Sequence, residues 1–282
     1  MRRCRRFIRS AERNDKSVLR LPFSRFFSLV ALLFCAAAIH GQQPGQASAP
    51  LPKLTAPAAN LPLPGAETLT YQVDWRLLPA GTVTMRLEQH GPQEQLSVTA
   101  ATLGSISLLY RVNDRFQSVF DRATGCSQTL SKQTEEGRRR VNTDVRFDYA
   151  DHRMVQTEKN LGRNSNKLGN GPLPACATDI LSSIFYIATQ PLSPGQGFSF
   201  PLADSLRTVA VDLKVQAREN IKVPAGSFST VRVEPTAEPG IVRNRGQIWI
   251  WYSDDARHIP VLMKARLFWG TVTLRLTNLE TK

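Results

Sequence analysis

The stretch TLTYQVDWRLLPAGTVTMRLE, Thr68–Glu88, decides the fold class. Leu69, Tyr71, Val73, Trp75 and Leu77 take every second position, with Thr70, Gln72, Asp74 and Arg76 between them. A period of two marks a β-strand with one buried face, because successive Cβ atoms point to opposite sides of a sheet. After Leu78-Pro79-Ala80-Gly81 the alternation resumes at Val83, Met85 and Leu87. Proline presets φ for the second position of a turn, and glycine accepts left-handed backbone. The tetrapeptide therefore predicts a hairpin turn with a glycine bulge. The same Pro-Ala-Gly returns at Pro224–Gly226, after an alternating run through Val209, Val211, Leu213, Val215 and Ala217, and before SFSTVRVE. It predicts a second hairpin of the same kind, turn chemistry rather than catalysis.

The pattern extends outward. Strands are expected over Glu94–Leu103, Arg111–Asp121, Cys126–Glu136, Arg138–Ala150, Gln247–Ser253, Ile259–Trp269 and Thr271–Leu279. Both parities of Ile248–Tyr252 are apolar, which predicts a strand covered on both faces. ATDILSSIFYIATQPL is different: Ile180, Leu181, Ile184, Phe185 and Ala188 fall at helical spacing, Thr178 or Asp179 can cap the start, and Pro191 stops it. A shorter helical turn is expected at Ser105–Tyr110. The glycine- and asparagine-rich GRNSNKLGNG and GNGPLPAC read as loops. The fold class is mainly β: a curved antiparallel sheet or barrel-like domain with one main α-helix, spanning residues 67–282. Charged polar faces and an amphipathic helix separate it from an outer-membrane barrel, whose outer rows are apolar.

Ahead of this domain lie two other segments. Residues 1–25 hold nine Lys or Arg against Glu12 and Asp15, and Phe26–Ile39 is an apolar run of fourteen followed by HGQQPGQASAP. A basic start, an apolar stretch too short for a bilayer and small residues at its end predict a signal peptide over residues 1–41 and a periplasmic protein. An uncleaved anchor is the alternative. Residues 42–66, rich in Pro, Ala and Gln, read as a flexible linker. The 282-residue chain carries a net charge of +13, of which +7 sits in residues 1–25. The remaining +6 is that of an ordinary solvated surface, so no nucleic-acid partner is expected. Beyond Cys4 and Cys35 the chain has Cys126 and Cys176. In an oxidising compartment this pair is expected to bridge, the alternative being two separate buried thiols.

The search for chemistry is short. His90, His152 and His258 sit in no metal-ligand spacing and read as solvated loop residues, and no G-x-S-x-G elbow occurs. SDDARHIP, Ser253–Pro260, gathers Asp254, Asp255, Arg257 and His258 between two apolar strands, where turn chemistry competes with acid–base or calcium chemistry. Asp114, Arg115 and Asp121 suit cross-strand ion pairs. Tyr71, Trp75, Trp249, Trp251 and Trp269 all fall on expected strands. In a curved sheet they either line a cavity for a lipid or other apolar ligand or fill a packed core.

Taken together, LTYQVDWRLLPAGTVTMRLE, YRVNDRFQSVFD, ATDILSSIFYIATQPLSPGQGFSFPL, IKVPAGSFSTVRVEP and GQIWIWYSDDARHIPVLMKARLFWGTVTLRL resemble the exported bacterial family known as domain of unknown function 3108. The resemblance spans nearly all of Ala66–Leu279 and implies a mainly-β periplasmic or envelope protein; it implies no activity and carries over no site residues. The functional expectation is a non-enzymatic envelope protein without a cofactor that binds an apolar, lipid-like ligand or an envelope component. After removal of the signal, membrane contact is expected to be peripheral or none. The alternative is an assembly factor that docks envelope proteins through sheet edges or the proline-rich tail.

Overall fold

The computed structural model describes residues 50–76, 78–237, 246–267 and 270–281. The expected signal peptide, the first part of the linker and Trp269 lie outside the described residues. Among those described, the chain forms fifteen strands and two short helices. In order they are β1 (Ala66–Trp75), β2 (Leu78–His90), β3 (Gln93–Thr102), α1 (Gly104–Leu109), β4 (Asn113–Asp121), β5 (Ser127–Glu136), β6 (Arg139–Asp148), β7 (Arg153–Asn160) and β8 (Ser165–Pro172). There follow β9 (Thr178–Asp179), α2 (Ser182–Ala188), β10 (Gly197–Asp204), β11 (Arg207–Val223), β12 (Gly226–Ala237), β13 (Gln247–Ser253), β14 (Pro260–Leu267) and β15 (Gly270–Thr281).

All fifteen strands belong to one sheet, in the order β8-β7-β6-β5-β4-β3-β2-β1-β15-β14-β13-β12-β11-β10-β9. Every pairing is antiparallel except β9 with β10. The first and last strands meet in the middle, Leu69 opposite Leu279 and Val73 opposite Leu274. Two meanders run outward from that seam. The expected alternation is present: Leu69, Tyr71, Val73, Val83, Met85, Leu87, Leu96 and Val98 are buried on one face.

The sheet rolls without closing its hydrogen-bond ladder, and other contacts bind the two wings. The Ser127 amide donates to the Ala177 carbonyl at 2.9 Å. Beside it Cys126 and Cys176 are bridged, Cα to Cα 5.2 Å, closing a loop of 50 residues. Lys132 of β5 faces Asp204 of β10 at 3.7 Å. Gly169 and Gly171 of β8 lie so close to Leu206 in the β10–β11 turn that a Cβ at either glycine would collide with it. These contacts hold the two ends of the sheet against each other.

Helix α2 lies inside, all seven of its residues buried. It is shorter than the spacing predicts because Thr178 and Asp179 are drawn into β9. Asp179 still serves the helix start, its Oδ1 accepting the Leu181 and Ser182 amides at 2.8 and 3.2 Å. Residues 50–65, expected as flexible linker, are instead a strap across one end of the roll. Leu61 and Leu63 are buried, the Ala58 amide donates to Thr189, and Arg122 donates to the Leu63 carbonyl. Proline-rich sequence lacks periodicity, yet its leucines still find the core.

Two expectations change in detail. The first Pro-Ala-Gly is not a turn. Trp75 pairs with Leu78, Arg76 takes φ 58°, and Pro79–Gly81 lies inside β2, where the register slips between Val73–Gly81 and Asp74–Pro79. Ala80 is the bulged residue. At the second copy Val223 pairs with Gly226, so Pro224-Ala225 is the two-residue turn expected. The region read as loops contains strand β8, and β7 before it was not anticipated.

Candidate functional site

Of the five aromatic residues expected either to line a cavity or to fill a core, the four described ones do not gather around one space. Tyr71 is fully buried, its hydroxyl donating to the Pro260 carbonyl at 2.7 Å, and burial pushes that hydroxyl well above its ordinary pKa. Trp75 is half-buried at the head of β1, with the Arg76 guanidinium 5.0 Å from its ring. Trp249 and Trp251 lie on the opposite face of β13 from the inward Ile250 and Tyr252. Arg266 sits 5.4 Å from the Trp249 ring and Arg232 5.9 Å from that of Trp251, whose Nε1 donates to Glu219 at 2.9 Å. Both parities of β13 are apolar, so the sequence could not say which row faces in. Trp269 is outside the described residues.

The Ser253–Pro260 stretch is a self-contained turn. The Asp255 carboxyl accepts the Ser253 hydroxyl at 2.8 Å and the Arg257 amide at 3.0 Å, and Asp254 pairs with Arg218 at 2.7 Å. Against partial burial, those bonds and the Arg257 guanidinium hold Asp255 below the usual carboxylate range. His258 corrects the reading of a solvated histidine: it is buried, with φ 43°, and its Nδ1 lies 2.8 Å from the carbonyl of Ala188 at the end of α2. Among the described residues no group of three or more His, Cys, Asp or Glu is placed to hold a metal ion.

Asp179 forms a buried node that sequence reading saw only as a helix cap. Its Oδ2 accepts the hydroxyls of Ser118, Ser127 and Ser182 at 2.5, 2.6 and 3.0 Å. With the two amides on Oδ1, five donors saturate the group. It ties β4, β5 and α2 together and is sealed from any substrate, so its role is structural.

Beneath α1 lies a second buried group. Asp114 accepts the Glu135 amide at 2.8 Å, and burial with the neighbouring Glu136 pushes its pKa up to about 7. Tyr110 is raised to about 12 by burial and by the same two carboxyls.

The surface above this pair gathers three exposed leucines. Leu108 on α1 is 88% exposed, Leu78 58% and Leu103 52%. Backbone bonds place them together: the Leu103 amide donates to Ala80, two residues beyond Leu78, and Gly137 donates to Arg111 just after α1. The β5–β6 turn brings exposed Arg138, Arg139 and Arg140, and Leu161 donates its amide to the Arg140 carbonyl at 2.8 Å. An apolar tip on a basic bed therefore caps the end opposite the strap. The sequence predicts only a short helical turn at Ser105–Tyr110; the missing cover in space reveals Leu108 as surface.

The sequence profile of the family described as "Protein of unknown function (DUF3108)" matches residues 70–277. The chain belongs to the DUF3108 family. No curated protein matches it. Among solved structures, the DUF3108 domain is similar to a β-barrel-like protein of the DUF1849 family from Brucella abortus. The TM-score is 0.55 and identity 11%, with 79% of this chain and 99% of that one covered. That likeness concerns fold alone. Two others are too distant to carry an argument. One is described as an exported protein of YmcC-like fold from Bacteroides fragilis, with TM-score 0.35, identity 8%, and 80% and 100% of the chains covered. The other is described as a lipoprotein from Parabacteroides distasonis, with TM-score 0.32, identity 9%, and 78% and 98% covered.

Proposed function

We propose that this DUF3108 protein is an exported envelope protein that binds an apolar, lipid-like component and performs no covalent chemistry on it. The observation that carries this reading is the exposed cluster Leu78, Leu103 and Leu108, gathered at one end of the roll, with exposed Leu161 at the neighbouring turn. Exposed apolar clusters mark contact with apolar partners. The basic and apolar N-terminal segment and the Cys126–Cys176 bridge support an oxidising, extracytoplasmic setting. Of the five aromatic residues once expected to hold the ligand, Trp75 stands beside this end, paired with Leu78.

The test is lipid extraction and native mass spectrometry of protein purified from the periplasmic fraction, together with titration of an apolar fluorescent probe. Copurified lipid and saturable probe binding, both lost in Leu103→Ser/Leu108→Ser, are expected. Ligand-free protein with no probe binding by the folded wild type would remove the reading.

A further inference from the structure

We infer that the α1 end is a docking face for an anionic bilayer, with the leucines entering the interface and the neighbouring arginines holding lipid phosphates. This deepens the proposed function and rests on it for the apolar half of the contact. The charged half rests on a separate observation. Arg111, Arg138, Arg140 and Arg163 are all exposed, and none is paired with a carboxylate among the described residues. They are neighbours by backbone bonding, Gly137 to Arg111 and Leu161 to Arg140 at 2.8 Å each. The acidic groups at this end are occupied or inward. Glu136 is buried with Arg139 at 3.5 Å, Asp114 is buried, and Glu135 is half-buried near Asn113. The rim thus offers positive charge that the protein itself does not neutralise.

Apolar contact alone gives weak, reversible membrane association, and a basic patch beside it supplies the second signal that stable binding requires. Guanidinium groups suit phosphate because their planar donors match two oxygens at once. The leucines and arginines alternate around the rim: Leu78, Leu103 and Leu108, then Arg111 and Arg138–Arg140, then Leu161 and Arg163. A bilayer surface, apolar beneath a charged sheet of headgroups, fits that order better than a uniformly apolar pocket would.

The experiment is co-sedimentation of the full exported chain with vesicles of phosphatidylcholine, with and without phosphatidylglycerol, over a salt series. Binding that requires phosphatidylglycerol and weakens with salt is expected. Arg138→Gln and Arg140→Gln should each weaken it about fivefold. Arg138→Lys/Arg140→Lys should keep most of it, and Leu108→Ser should weaken it about tenfold. All three positions are exposed, and unchanged thermal melting of each variant confirms that folding is intact. Sedimentation that ignores phosphatidylglycerol and the arginine variants overturns the inference. So does concentration-dependent dimerisation abolished by Leu108→Ser without any vesicle binding, which reassigns the face to self-association. If the wild type binds the apolar probe through its leucines but fails to sediment with anionic vesicles, the proposed function stands and this inference falls.

Discussion

Asp179 concentrates more of the fold's polar cohesion than any residue around it. Three hydroxyls and two amides converge on one carboxyl that water does not reach. Asp179→Ala strands those donors in the interior. A loss of about 3 kcal/mol or more is expected, read as a lower urea midpoint. Asp114 behaves in the opposite sense. Burial and Glu136 raise it to about 7, so the folded protein keeps a proton that the unfolded chain gives up near pH 4. Stability contributed by this group therefore falls as pH rises from about 4 to 7 and is level above. Asp114→Asn should remove that slope and raise stability at pH 8 by about 2 kcal/mol, measured as urea midpoints across pH. The sequence offered Asp179 as a helix cap and Asp114 as half of an ion pair, not the buried roles they take. An aspartate at an alternating position looks the same whether it meets three hydroxyls, a carboxyl or water.

The elements were legible where one face is buried and the other wet. β1 to β3 alternate cleanly because their inner rows meet a packed core. β7 and β8 escape because their rows lack that contrast. Gln156, Glu158 and Asn160 share the face of buried Met154 but are only half-buried. In β8 the same row holds Gly169 and Gly171, where Leu206 leaves no room for a side chain. The two Pro-Ala-Gly copies show how context reassigns one tripeptide. At Pro224 it turns the chain. At Pro79 it forms a bulge inside β2, where Gly81 is needed because a Cβ would strike the Ala101 carbonyl of β3. Gly81→Ala is expected to cost about 2 kcal/mol through forced separation of β2 and β3. Hydrogen exchange should locate the loosening in that pair rather than across the sheet.

For the molecule as a whole, sequence reading anticipated a curved sheet or barrel plugged by a helix but not how the wings are held. Closure depends on long-range partners: the Cys126–Cys176 bridge, Lys132 with Asp204, and the Asp179 node. Cysteine parity pointed to the first, and nothing local pointed to the others. Cys126→Ser/Cys176→Ser should lose about 4 kcal/mol in the chain-entropy view of a 50-residue loop, with the thermal midpoint of the wild type falling to match when reductant is added. The candidate site was the least legible part. Whether a leucine is interior or surface depends on what the rest of the chain lays over it, and over Leu108 the described residues lay nothing.

The seam between β1 and β15 has a consequence for biogenesis. Nearly the entire domain must be synthesised before its central ladder can zip, since Glu67 pairs with Thr281 across more than two hundred residues. Such distant pairing is slow to form. A chain truncated before Gly270 loses the seam and is left with a raw β1 margin, ready to recruit foreign strands.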